Sequence, residues 1–174
     1  MALSDRVVLM HKGRILQTGA PETVYRRPAT TEVASFFGTP NLMQAAVTAC
    51  RPIGGGDFSL AVEGVNGRGE CRAGHSFAPG ETVTVMVRPE DVTLASPGIV
   101  AIGGQFVWPG RVADVVFRGS RRSLTVETTG MRFHVECPAT RAASVGDTIT
   151  LVVEAENAWA IQLPRANGLS APSQ

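Results

Sequence analysis

Lysine is almost missing from this 174-residue chain: of its 16 basic residues, only Lys12 is a lysine. That excludes a phosphate-binding P-loop, which needs a lysine directly after its glycines and then a serine or threonine. The glycine-rich stretches IGGGDF (53–58) and AIGGQF (101–106) have neither, and read as hairpin loops or connectors. Cysteine is scarce too. Cys50, Cys71 and Cys137 are odd in number and widely scattered, which argues against a disulfide framework and fits a reducing compartment. No run approaches the roughly 20 apolar residues of a membrane span. Asp5 and Arg6 interrupt the opening before the apolar stretch of a signal peptide can form. The net charge of +1 leaves no basic excess for a nucleic-acid or anionic-membrane partner.

Aromatics, at 6% of the chain, are thin as well. OB-type barrels bind single strands by pairing positive charge with exposed rings. The basic clusters Arg26-Arg27 and Arg118, Arg121, Arg122 supply charge, but alternation assigns Phe117 and Phe133 to the inside, so few rings remain for stacking. The arginines read as solvated turn residues. Metal and nucleophile patterns are equally sparse. Cys71 and His75 (C-x3-H) and His134 and Cys137 (H-x2-C) lack the C-x2-C that normally accompanies a zinc site, and no G-x-S-x-G occurs. The sequence assigns no catalytic, cofactor or metal residue.

What is present is apolar material, 44% hydrophobic against 18% charged, enough for a real core. The pattern changes near residue 40. Before it, RVVLM and RILQTG read as strands joined by a His11-Lys12-Gly13 turn. APETVYRRP reads as a helix with Pro21 in its first turn and Pro28 as its stop. TTEVASFFG reads as a second helix, capped by Thr30 or Thr31 and ended by Gly38. After it come ten short candidate strands between glycine-rich turns, several alternating apolar with polar, as in Arg132-Phe133-His134-Val135-Glu136. Such a procession predicts a mainly β fold, a small barrel or sandwich.

The stretch ALSDRVVLMHKGRILQTGAPETVYRRPATTEVASFFGTPNLM closely resembles the end of the ATPase core in nucleotide-binding subunits of ABC importers, in the branch serving maltose-type sugars, polyamines and ferric iron. Ser4, Asp5, Arg6, Gly13, Arg14, Ile15, Gln17, Gly19, Pro21, Glu22, Tyr25, Pro28, Phe36, Gly38 and Asn41 all match that pattern. GETVTVMVRPEDVTLA is similar to the RPE signature of the transport-associated OB (TOBE) domain that follows the core. GRVADVVFRGSRRSLTVET and GDTITLVVEAENAWAIQ resemble its last strands.

The resemblance implies an OB-fold-like barrel of TOBE type at 41–164, preceded by a remnant of the ATPase core at 1–40 and followed by a flexible tail at 165–174. The family's Walker A, Q-loop, LSGGQ signature, Walker B and switch histidine are absent from this sequence. The expectation is therefore a C-terminal piece that neither binds nor hydrolyses ATP alone, ATP and Mg belonging to the parent subunit. Implied partners are a second copy in a homodimer, the ATPase core and the permease, with the membrane reached only through the permease. The implied location is the cytoplasmic face of the cell membrane. The turn Arg88, Pro89, Glu90, Asp91 is the candidate contact with the ATPase-derived segment. Val24, Val33, Phe36 and Phe37 are expected to face the core. A small-ligand sensor for oxyanions or substrate, and a single-strand binder, stand as secondary readings, although no small-residue anion motif is visible.

Overall fold

The first strand, β1 (Val7–His11), runs through a turn into β2 (Arg14–Gly19), and two one-and-a-half-turn helices follow, α1 (Pro21–Arg26) and α2 (Thr31–Phe36). This computed structural model describes residues 5–65 and 67–163, so the tail predicted at 165–174 lies outside the described residues. Lys12 and Gly13 both take positive φ, as a two-residue hairpin turn of matching twist requires. Thr30 caps α2 by accepting from the Val33 N–H at 3.2 Å. The hairpin packs on the Val24 side of α1 and the Val33 side of α2. Leu9, Val24 and Val33 are buried together, with Val7, Leu16 and Phe37 around them. Val24, Val33 and Phe37, expected to pack on the ATPase core, instead close a small core of their own with the hairpin. Phe36 remains exposed, as do Val8, Met10 and Ile15 on the outer face of the hairpin.

The ten strands read from alternation all form. They are β3 (Asn41–Gly54), β4 (Asp57–Gly64), β5 (Gly67–Ala73), β6 (Thr82–Val87), β7 (Thr93–Ala95), β8 (Phe106–Arg118), β9 (Arg121–Thr128), β10 (Met131–Pro138), β11 (Thr148–Val153) and β12 (Ala158–Gln162). A single-turn 3-10 helix follows β6 (Pro89–Asp91) and another follows β11 (Ala155–Asn157). The order of long strand, two shorter strands, core strand, turn and short strand occurs twice. GETVTVMVRPED and GDTITLVVEAEN are the same step of the two repeats.

The repeats interlock. β12, the last strand of the second repeat, closes a barrel of order β12-β5-β4-β3-β6 in the first, while β7 of the first extends the sheet β10-β9-β8-β11-β7 in the second. The mainly β, OB-like class holds, with the region expected to be one barrel built as a closed barrel and a second sheet around one shared core. Trp108 lies between Phe106 and Phe133 in that core, at ring-centroid distances of 5.2 Å and 4.6 Å.

Both long strands carry a bulge at the equivalent place, Val47/Ala49 in β3 and Val112/Asp114 in β8. An extra residue shifts the side-chain alternation and bends the strand. Beyond the bulge the β8–β9 hairpin leaves the core, which is why Phe117 is 68% exposed while Phe133 is fully buried. The inside position assigned to Phe117 by alternation is therefore corrected.

Gly69 in β5 lets the ring of Phe106 lie against the backbone; a Cβ there would stand 2.6 Å from the ring. Gly69→Ala is expected to destabilise the chain by about 1–3 kcal/mol through overpacking. Urea unfolding measures it, and an unchanged midpoint would contradict this packing.

Candidate functional site

Arg88 leaves β6 as the first residue past the barrel wall and turns back under the helices. Its side chain is only 2% exposed. Nη1 donates to the Ala34 carbonyl at 2.8 Å and Nη2 to the Tyr25 carbonyl at 2.8 Å. These carbonyls belong to the last turns of α2 and α1, where helices leave oxygens unpaired and carry partial negative charge. One planar fork thus satisfies two helix ends. The guanidinium also lies 4.1 Å from the centroid of the Tyr25 ring. Burial lowers its proton affinity while Tyr25, Glu90 and Asp91 raise it, and a guanidinium stays charged under such opposing influences.

The rest of the predicted turn sits on the same segment. The Tyr25 hydroxyl donates to Glu90 Oε1. Burial, then that bond, pushes the phenol up to about 12, so it remains a neutral donor. Pro89 opens the 3-10 turn and the Asp91 N–H donates back to the Arg88 carbonyl at 3.0 Å. Burial, then the neighbouring Glu90, raises the Asp91 carboxyl above its ordinary 3.8. A folded state that holds this proton more tightly than the unfolded chain loses stability as pH rises through the raised value. Asp91→Asn is expected to melt higher than the parent at pH 7, the gain fading as pH falls to 3.8. Thermal melts over that range test the sign.

Around Arg88 the seat is apolar: Ala34 packs with Met86 and Ile161, flanked by Leu42 and Trp159. Arg27 takes both oxygens of Asp57, at 2.9 Å and 2.8 Å, and lies 5.3 Å from the centroid of the Trp159 ring. Trp159 Nε1 donates to the Pro28 carbonyl at 3.2 Å. Gln17 bridges hairpin and helices, its amide donating to the Arg27 carbonyl and accepting from the Ala29 N–H. Sequence reasoning missed Asp57, Trp159 and also Asn41, whose side chain pairs with both backbone groups of His134. Asn41 matches the family pattern, but that match does not announce this contact; its structural signal is a polar residue at an inward position of an alternating strand.

The other sequence candidates lie apart. Cys71 and Cys137 are buried in β5 and β10, strands of different sheets, and burial raises both thiols, Cys71 to about 12. Among the described residues no group of three or more His, Cys, Asp or Glu side chains is placed to hold a metal. Arg118 and Arg122 bond to Ser123 and the Ala143 carbonyl, and Arg121 lies 3.8 Å from Glu136. The glycines of 53–58 turn the β3–β4 hairpin, and Gly104 packs on Glu70. Neither glycine stretch is followed directly by a helix.

Between α1 and the barrel lies a cleft of about 350 Å³ lined by Arg26, Arg72, Met86, Asn157 and Trp159, among others.

Residues 85–161 match the family model of the TOBE domain. The chain is 32% identical over 169 residues to the spermidine/putrescine import ATP-binding protein PotA of Nitratidesulfovibrio vulgaris, covering 94% of this chain and 44% of that protein. It is 34% identical over 167 residues to the PotA of Pseudomonas aeruginosa, covering 91% of this chain and 42% of that one. The chain thus spans less than half the length of these relatives. Among solved structures, the molybdate-bound form of the cytoplasmic molybdate-binding protein ModG is similar with a TM-score of 0.60 and 15% identity, over 71% of this chain and 96% of that one. At that identity the likeness concerns the fold alone. The chain is homologous to the C-terminal part of the ATP-binding subunits of ABC importers, with a TOBE domain at residues 85–161.

Proposed function

We propose that this chain is the regulatory and dimerisation part of an ABC importer's ATP-binding subunit. In this reading a two-lobed β body from residue 41 onward carries the ATPase-derived segment ending at residue 40, and Arg88 is the joint between them. The observation that carries the proposal is the continuity of the PotA similarity across both parts, 94% of the chain. The buried fork of Arg88 supports it, because a regulatory body can bias an ATPase only if the two move as one. No chemical step belongs to this chain; ATP and Mg serve the ATPase core. The partners are a second copy, that core and the permease. Among the described residues no helix is long and apolar enough to cross a membrane, and in the proposal the membrane is met through the permease, on the cytoplasmic side.

Val8, Met10 and Ile15 on the hairpin and Phe36 on α2 are exposed, and exposed apolar side chains of this kind favour association. Sedimentation equilibrium at micromolar concentration is expected to find a dimer. A monodisperse monomer whose residues 5–40 are rapidly cut by protease would sink the dimerisation reading.

A second reading, ligand sensing by the OB-like body, is favoured by the arginine-lined cleft beneath α1. A ligand that binds only the folded chain raises its melting temperature, so a ligand screen by thermal shift tests it.

A further inference from the structure

The two repeats place equivalent residues in equivalent positions, so a charge found in one lobe alone is not a by-product of the fold. In the second lobe Arg121, opening β9, and Glu136 of β10 lie across the ribbon from each other, 3.8 Å apart, and compensate each other. The strand registers align this pair with Asp57 and Arg72 of the first lobe. Leu60 stands opposite Cys50 and Cys71 as Leu124 stands opposite Val115 and Val135, and counting outward gives Asp57 for Arg121 and Arg72 for Glu136. The signs are reversed, yet the pair in the first lobe is not made. Arg27 of the α1 connection takes both Asp57 oxygens, at 2.9 Å and 2.8 Å.

Arg72 is consequently left half-buried on the cleft wall, with no hydrogen bond or ion pair among the described residues. Arg26, 54% exposed, lines the same cleft from the α1 side; it bonds to exposed Glu22 one helical turn away at 3.1 Å and interacts electrostatically with Asp91, the helical pair being worth a few tenths of a kcal/mol. Arg88 adds a third cation to the wall, and its Nε is buried without a partner among the described residues. Of the carboxylates here, Asp57 is already engaged by Arg27, Glu156 is exposed, and Asp91 lies close enough to Arg26 and Arg88 to interact with both, while Arg72 is left to none of them.

We propose that this cleft binds a small phosphate-class dianion, held between Arg72 of the barrel and Arg26 of α1. This deepens, and rests on, the ligand-sensing reading above. Partly desolvated guanidinium groups are best compensated by an oxyanion that accepts paired N–H bonds, and phosphate presents the oxygens for two forks. At about 350 Å³ the cleft falls in the size range of small-molecule sites. Met86 and Trp159 give it an apolar wall and Asn157 an amide, so a phosphate monoester with a small body fills it better than inorganic phosphate. One wall comes from α1 and the other from the barrel, so the bound ligand tightens the joint between them.

The test is isothermal titration and thermal shift on the whole chain at constant ionic strength, with inorganic phosphate, glycerol 3-phosphate and glucose 6-phosphate as probes and chloride and putrescine as controls. Phosphate probes are expected to raise the melting temperature above the chloride value. An ester outperforming inorganic phosphate identifies the monoester as the source; equal responses identify the free ion. Arg72→Gln is expected to weaken binding about tenfold or more, the loss of one charge-assisted fork, with no change of melting temperature in chloride. If that variant fails to fold, Arg26→Gln carries the same test from the other wall. The proposal is overturned if no phosphate probe exceeds chloride, or if Arg118→Gln, out on the β8–β9 hairpin, weakens binding as much as Arg72→Gln. A response to putrescine alone also overturns it, while leaving the broader sensing reading intact.

Discussion

Replacing Arg88 by methionine is expected to release residues 21–37 from the barrel while the barrel itself stays folded. The substitution keeps much of the apolar stem but deletes both donors, leaving the Tyr25 and Ala34 carbonyls without their 2.8 Å partners. Each orphaned buried acceptor costs about 1–3 kcal/mol, so a total loss of about 2–6 kcal/mol is expected, further increased by the lost contact with the Tyr25 ring. Six-residue helices have no independent stability to absorb it. Hydrogen exchange should show protection lost across α1 and α2 and retained in β3–β6. Arg88→Lys is expected to rescue little, because a single ammonium on a flexible stem does not span two carbonyls as the planar fork does. Equal loss of protection throughout the barrel strands would show that Arg88 supports the core and is no joint.

The parts of this structure that were legible in the sequence are those governed by local rules. Alternation of side chains placed β9 and β10 with the correct faces, and Pro21, Thr30 and Gly38 marked the helix ends because cap chemistry is local. Phe117 was misplaced because alternation gives the face and not the extent of the core: it lies on the same side of β8 as half-buried Val115, but there the β8–β9 hairpin has run beyond the core. The interlocking of the repeats was invisible for a different reason. β7 joins β11 and β12 joins β6 through backbone bonds, which carry no residue-type signature. The repeat itself was readable, in GETVTVMVRPED against GDTITLVVEAEN, but its charges diverge, with Arg88 matched by Glu154. At the candidate site, the turn 88–91 was found through family resemblance, whereas its partners are main-chain oxygens that no residue pattern announces. The cleft was further still from the sequence. It exists because Arg27 and Asp57, thirty residues apart, pair across it.

Asn41→Asp, a change of one amide to a carboxylate, is expected to be among the most damaging single substitutions in the chain, and to be so in a pH-dependent way. β10 is an edge strand of its sheet. In the first lobe the equivalent edge, β5, is covered by β12. In the second, the Asn41 side chain takes that place for one residue: Nδ2 donates to the His134 carbonyl at 2.8 Å, and Oδ1 accepts from the His134 N–H at 2.7 Å. The amide is 2% exposed, so water cannot substitute for it. Asn41→Leu orphans both groups and is expected to cost about 2–6 kcal/mol. Asn41→Asp keeps the acceptor but faces a buried carboxylate against the His134 carbonyl oxygen, and at pH 7 is expected to cost at least as much. Burial and that carbonyl raise the folded-state pKa of the introduced acid above its unfolded value of about 4. The folded state then binds the proton more tightly than the unfolded, so the deficit against the parent is full above the raised pKa and shrinks as pH falls through it. The protonated acid can donate its O–H to the His134 carbonyl and restore the pair. Urea unfolding of parent, Asn41→Asp and Asn41→Leu at a series of pH values distinguishes the two losses. The aspartate deficit must close toward acid and the leucine deficit must not; parallel curves would mean that the Asn41 amide does not hold the edge of β10.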